Sequence, residues 1–255
     1  MGIRIVPNKR IGRVIFFVEG PLDEPGLLRH VFHNVLGYQT IVWDKRTQSI
    51  QEYFKPGDPY SKVFVVSMPS SAIKNIPGEE AFLDTVYQQL KEYGLNRHEA
   101  FVYYLFDRDR QSNKREAVES KISLLRNPLD NGMELPGALL LSYPCVQAYY
   151  CQAHDDPEEF ANSQEAKAYA NANSYKRLTQ ENLCLAAGNM ETTLSKIRGK
   201  DLVLYELEDY GQINQEVYRY EESYWQEHEH RYLTLSLLSL ALLDLGVIEI
   251  DWIGK

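Results

Sequence analysis

Apolar positions in this chain follow two patterns. Val14-Ile-Phe-Phe-Val18, Phe101-Val-Tyr-Tyr-Leu-Phe106 and Ala138-Leu-Leu-Leu141 are uninterrupted apolar runs rich in branched and aromatic residues. Between them, apolar residues recur at helical spacing, as in Leu27, Leu28, Val31, Phe32 and Val35, with Gly37 as a stop. Runs of the first kind read as buried parallel strands, and the second kind as helices laid against them. The pattern predicts strands over about 12–18, 40–44, 62–67, 100–106 and 137–142, with helices over about 23–36, 79–93 and 113–126. In the last of these helices Ala117, Ile122, Leu124 and Leu125 supply the apolar face, and Pro128 follows its end. Such alternation implies right-handed crossovers and an α/β fold whose parallel sheet is covered by helices on both faces.

After Pro144 the pattern changes. Residues 145–200 are rich in Ala, Asn, Gln and Glu and read as helices with irregular joints. Residues 212–245 read as one or two further helices, and Val247-Ile-Glu-Ile250 as a short final strand. The expected organisation is an α/β core over residues 1–155 and a mostly helical extension over 156–255 packed against it. The leucine-rich stretch Leu233–Leu243 fits a buried core helix and a homo-oligomer interface equally well. It is too short to span a bilayer, and Asp244 follows it.

Bulk composition changes this picture little. The chain has 255 residues, 44% of them apolar and 25% charged, which suits one globular body and excludes a low-complexity or fibrous class. Cys145, Cys151 and Cys184 are odd in number and form no CxxC pair, so no disulfide framework or zinc ribbon is expected. Met-Gly-Ile-Arg-Ile-Val-Pro lacks the apolar core of a signal peptide, and a cytoplasmic location is the expectation. A net charge of -9 disfavours nucleic acid at face value. The sign is uneven, however: residues 200–230 carry nine acids against Lys200 and Arg219, whereas Arg108, Arg110, Lys114 and Arg115 cluster near one point.

That point is where the chemistry concentrates. Glu19 ends the first apolar run, and Asp107 and Asp109 end the second. In open α/β sheets, ligands bind just beyond the carboxyl ends of the strands. Residues two apart on a strand share a face, so Asp107 and Asp109 are expected to point the same way with Cα atoms roughly 6–7 Å apart. Glu19 would converge on them from another strand. Carboxylates in such a set suit Mg²⁺ or Mn²⁺, with Asp23 as a weaker fourth ligand and Arg108, Arg110, Lys114 and Arg115 as phosphate contacts. A single Asp after a strand is more often a turn or helix cap; three carboxylates at strand exits are harder to explain that way.

Val18-Glu19-Gly20, then Asp23-Glu24 opening a helix, then Phe106-Asp107-Arg108-Asp109 after a later strand, resembles the TOPRIM domain of topoisomerases, primases, recombination-repair proteins and OLD-family nucleases. In that domain a Glu after the first strand and an Asp-x-Asp after a later one serve a Mg²⁺ site. Ser142-Tyr-Pro-Cys-Val-Gln-Ala-Tyr149 is similar to the Ser-Asn-Pro-Cys-Phe-Glu segment of RloB-like stand-alone TOPRIM proteins of phage-defence loci. The resemblance covers roughly residues 12–155. It implies a metal-dependent nuclease acting on DNA or RNA in antiviral defence, or a catalytically degenerate module governed by a partner ATPase. Two departures count against a standard site: Gln147 stands where the RloB pattern has Glu, and Gln111-Ser-Asn113 replaces the usual Asp-x-Asp-x-x-Gly ending. An amide is a poor Mg²⁺ ligand and no base at neutral pH, which leaves Glu116, Glu119 or Asp23 to substitute.

Other features weigh less. Cys145 reads as a structural thiol, and His228 and His230 as surface histidines, since residues two apart do not share a helix face. A HAD-type phosphatase reading of Asp107-Arg-Asp109 fares worse, because Arg110 and Gln111 follow it and it sits mid-chain. No GxGxxG or P-loop pattern is present.

Overall fold

The structure is a computed structural model, which describes residues 2–42, 50–69, 80–92, 99–111, 113–129, 137–156, 158–202 and 209–251, together with 73, 76, 95 and 207. In chain order the first elements are β1 (Gly2–Ile5), β2 (Arg13–Val18), α1 (Asp23–Arg29), β3 (Gln39–Val42), β4 (Ile50–Lys55) and β5 (Asp58–Ser67). There follow α2 (Glu80–Glu92), β6 (Ala100–Asp107), α3 (Arg115–Leu124), β7 (Arg126–Asn127) and β8 (Gly137–Tyr143). The remainder comprises α4 (Ala148–Ala153), β9 (Glu159–Phe160), α5 (Ser163–Ala172), α6 (Gln180–Arg198) and α7 (Tyr210–Glu227). Last come β10 (Tyr232–Leu233), β11 (Leu235–Ser236), α8 (Leu238–Asp244) and β12 (Ile248–Asp251).

The central sheet runs β11-β8-β6-β2-β5-β4-β3. Its middle, β5-β2-β6-β8, is parallel, as the apolar runs imply. Both flanks are antiparallel, so the sheet is mixed rather than all parallel. On one flank, β4 and β5 form a hairpin through Pro56-Gly57, with Gly57 at φ 79°. On the other, β11 pairs with β8, Leu235 opposite Tyr143 and Ser236 opposite Ser142. The expected strand over 40–44 is seen to Val42, and its last two residues lie outside the described residues, as do both ends of the helix expected over 79–93.

Aromatic pairs on neighbouring strands hold the centre. Phe16 stacks on Tyr103 at 5.2 Å on one face and Phe17 on Tyr104 at 5.1 Å on the other, each pair in direct register. Such pairs add about 0.5–1.5 kcal/mol beyond the area they bury. Phe32 closes on Phe16, and Tyr210 of α7 on Tyr103, so the segment after β2 and the C-terminal helices share a face. Tyr87 of α2 packs edge-on to Phe17 across the sheet. The helix expected over 23–36 is α1 followed directly by a π-helical turn, His30–Val35, and Gly37 at φ 74° ends it.

The extension interlocks with the core. It gives the sheet β11, pairs β12 with β1, and packs α6 on α4 and α7 on β8. The expected helix through Leu233 is interrupted: after α7 the chain reverses through Glu229 and His230 at positive φ, forms β10 and β11, and only then enters α8. The need to cover the open edge of β8 outweighs helix propensity here. Leu237, Leu238, Leu240 and Leu242 are fully buried, so this stretch is core and offers no face to a second copy. Among the described residues no helix is long and apolar enough to cross a membrane.

Asp244, at the end of α8, accepts hydrogen bonds from the Tyr103 hydroxyl at 2.6 Å and the Tyr210 hydroxyl at 3.1 Å, tying α8 and α7 to the middle of β6. Asp244→Ala strands the Tyr103 hydroxyl in the core, and urea denaturation should show a loss of about 2–4 kcal/mol.

Candidate metal centre

Parallel pairing of β2 with β6 and of β6 with β8 brings three strand exits side by side, with Val18 opposite Leu105 and Asp107 opposite Ser142. Glu19 leans across the first gap, and its Oε2 accepts from the Asp107 amide at 3.0 Å. Asp107 Oδ1 accepts from the Val146 amide at 2.7 Å, in the loop that leaves β8 through the cis Tyr143–Pro144 bond. The turn after Asp107 is held from below by Asn113, which is buried. Its Nδ2 donates to the Asp107 carbonyl, and its own amide donates to the Asp109 carbonyl. Asn113 Oδ1 accepts from the Ile73 amide. Asn113 thus closes the turn that follows β6.

The third member of the cluster is Glu24. One carboxylate oxygen each from Glu19, Glu24 and Asp107 lies within 4.8 Å of the others. Glu24 is 4% exposed and Asp107 8%. Sequence reasoning named Asp23 at this helix start, and the structure places Asp23 elsewhere, ion-paired to Lys167 of α5 at 2.9 Å. The signal for Glu24 was present. At about 100° per residue, Glu24 falls within about 15° of the centre of the Leu27, Leu28, Val31, Phe32 and Val35 stripe, and Asp23 about 110° away. Asp109 lies outside the tight group; its Oδ1 accepts from the Gln111 amide at 2.9 Å, and its charge still acts on Glu19.

Electrostatics in the cluster are unfavourable for three bare charges. Burial first, then the neighbouring Glu24 and Asp109, push the Glu19 carboxyl up to about 7 against the help of the Asp107 amide. Burial likewise pushes Glu24 up to about 7, with Asp23 adding to it. Asp107 is raised well above the carboxylate range by burial, then by Glu24 and Glu19. Lys167 acts in the opposite sense on all three. This cation comes from the extension, where the sequence offered no motif to mark it.

The expected phosphate contacts are placed differently from one another. Arg108 faces away from the cluster. It is 1% exposed, with Nε and Nη2 on Glu222 Oε1 at 3.1 and 2.8 Å and Nη1 on the Asn113 carbonyl at 2.8 Å. Arg110 pairs with Glu222 Oε2, donates to the Tyr232 hydroxyl at 2.6 Å and lies 3.8 Å over the Trp225 ring. Arg115 pairs with Glu119 on α3 at 2.9 Å. Lys114 stands exposed at the start of that helix. Arg108 is therefore a structural cation and is withdrawn as a phosphate contact, because its guanidinium is enclosed and neutralised. Gln147 is buried with its Oε1 unpartnered among the described residues. Burial pushes the Cys145 thiol well up, which leaves it inert at neutral pH.

The donor set fits a hard divalent cation: three carboxylates, one oxygen of Glu19 and one of Asp107 already fixed by backbone amides, and local charge that asks for neutralisation. No protein family matches this chain, and no curated protein or solved structure does either.

A pH dependence follows. Glu19 and Glu24 sit near 7 in the fold instead of the ordinary 4.5, so the metal-free fold binds more protons than the unfolded chain between those values. Their contribution to stability is complete below about pH 4.5 and is lost as pH rises through about 7. In EDTA, Tm should fall between about pH 5 and pH 8. Mn²⁺ should raise Tm strongly at the upper end and little at the lower, and Glu24→Gln should shrink both effects. An undiminished Mn²⁺ gain in Glu24→Gln would remove Glu24 from the site.

Proposed function

We propose that this protein is a divalent-metal-dependent nuclease of TOPRIM type, cleaving phosphodiesters in DNA or RNA as an antiviral defence effector. The observation that carries the reading is the convergence of Glu19, Glu24 and Asp107 at the carboxyl ends of adjacent parallel strands. Order along the chain supports it too, since Glu19 follows the first strand of the parallel set and Asp107-Arg108-Asp109 a later one. Glu19, Glu24 and Asp107 would hold Mg²⁺ or Mn²⁺. When bound, the cation supplies charge neutralisation at phosphodiester oxygens and a lowered pKa for an attacking water. The chain's own contribution is positional. Backbone amides of Asp107 and Val146 orient two of the carboxylates, and Asp109 adds negative charge beside them. With Arg108 and Arg110 engaged with Glu222, Arg115 with Glu119 and Lys167 with Asp23, the exposed Lys114 is the expected phosphate contact that stays available.

A second reading has its own support. Arg108, Arg110 and Arg115 are all paired within the protein, and Gln147 replaces the expected carboxylate. A degenerate TOPRIM module that binds a partner, such as an ATPase, would need neither a basic rim nor a complete acid set.

Cleavage of plasmid DNA and bulk tRNA in Mn²⁺ and Mg²⁺ separates the two. For the nuclease, Asp107→Ala and Glu24→Gln should each lower the rate by at least about a hundredfold while circular dichroism and Tm in EDTA show a folded chain. Metal binding without cleavage of either nucleic acid would favour the partner-binding module.

A further inference from the structure

We infer that Glu222, on α7 in the extension, is the positioning residue of the metal centre: it holds Arg108 and Arg110, and so fixes the direction in which Asp107 and Asp109 project. The inference rests on the reading of the acidic cluster as a metal site.

Arg108 and Arg110 bracket Asp109, where β6 passes into the turn closed by the Asn113 amide on the Asp109 carbonyl. Across the exit of β6, residues 108 and 110 both reach Glu222, while Asp107 lies in the acidic cluster with its amide on Glu19 and the charge of Asp109 acts on Glu19. The two sets of contacts are alternatives for the backbone. Rotating the segment to free the arginines would turn Asp107 out of the cluster and carry Asp109 away from its edge. Glu222 secures one orientation by dividing its two oxygens, Oε1 to Arg108 and Oε2 to Arg110.

The surroundings make that division hard to replace. Arg108 has 1% side-chain exposure and Glu222 10%, so neither charge has water as an alternative partner. The Arg108 guanidinium lies 5.3 Å over the Tyr218 ring, and Arg110 is held between Trp225 and Tyr232. Tyr218, Glu222 and Trp225 come from successive turns of α7, and Tyr232 from β10. Apart from the Asn113 carbonyl that Arg108 Nη1 reaches, the receptor for the two arginines is thus built by the extension. Removing Glu222 leaves the enclosed Arg108 and the half-buried Arg110 without their shared anion, and the turn between them is the segment free to yield.

The test reads metal affinity on folded protein. Mn²⁺ binding is measured by electron paramagnetic resonance of the free ion, well below Tm, for the wild type, Glu222→Gln, Glu222→Asp and Asp209→Asn. Asp209 is the control. It ties α7 to Arg126 and so supports the same helix, but it touches neither the turn nor the acids. Glu222→Gln should weaken Mn²⁺ binding by about tenfold or more, the range seen when outer partners of a metal ligand are lost. Glu222→Asp keeps the charge but is one methylene short of spanning both guanidinium groups, and should weaken binding as well; it carries the test if Glu222→Gln fails to fold. Asp209→Asn should lower Tm with Mn²⁺ affinity unchanged. Wild-type affinity in a folded Glu222 variant, with binding abolished by Asp107→Asn, would overturn the positioning role and leave the metal site standing. Equal weakening in Asp209→Asn would overturn it also, by showing that any loosening of α7 suffices. A wild type that binds no Mn²⁺ would overturn the metal-site reading, and this inference with it.

Discussion

Mutual repulsion among Glu19, Glu24 and Asp107 is the constraint around which the rest of the molecule is arranged. Two unit charges 4.8 Å apart interact by about 3 kcal/mol at an effective dielectric of about 20, and these three carboxylates, two buried and one half-buried, make three such pairs. Against this the fold sets two backbone amides, each contributing about 1.5–3 kcal/mol to a charged acceptor, and one partly exposed lysine. The remainder is met either by protons or by a cation. A chain that only needed stability would place leucines here; the arrangement makes sense as a receptor for positive charge.

The parallel sheet delivers the acids, and the extension keeps them in place. Aromatic stacking on both faces of β2 and β6 fixes the register that puts Glu19 beside Asp107. A slip by one residue would exchange Phe16 for Phe17 and reverse both faces. From the other direction, α7 and β10 hold the arginines that flank Asp109, and α5 supplies Lys167. The boundary near residue 155 therefore marks a change of composition more than a change of role.

Much of this was legible in the amino-acid order. Apolar runs located the middle of the sheet, and of the acids at their ends Glu19 and Asp107 come together in the cluster while Asp109 stays outside it. What was missed has physical reasons. β4 reads Ile-Gln-Glu-Tyr-Phe-Lys, and its polar residues are buried because Tyr53 bonds Gln51 and Lys62 pairs with Glu52. Those partners are invisible to a pattern that scores residues singly. β10 and β11 are two residues each and owe their conformation to strands far away in sequence. Arg108 is ambiguous in principle, since a cation beside acids suits a phosphate and a distant glutamate alike. Glu222, 114 positions on, decides it. Glu24 was within reach of helical phase, but the adjacent Asp23 competes for the same role until phase is counted.

The edge of β8 is sealed by β11, and the serines that meet there, Ser142 and Ser236, are 94 residues apart in the chain. Contacts of such long range are slow to form, since the intervening loop must close before the pairing rewards it. β7 covers the first residues of that edge, and until β11 arrives the last residues of β8 show unpaired amides and carbonyls to their surroundings. Assembly of the acidic cluster and protection from edge-to-edge aggregation are consequently completed in one late step, and anything that delays docking of the C-terminal region leaves the molecule adhesive.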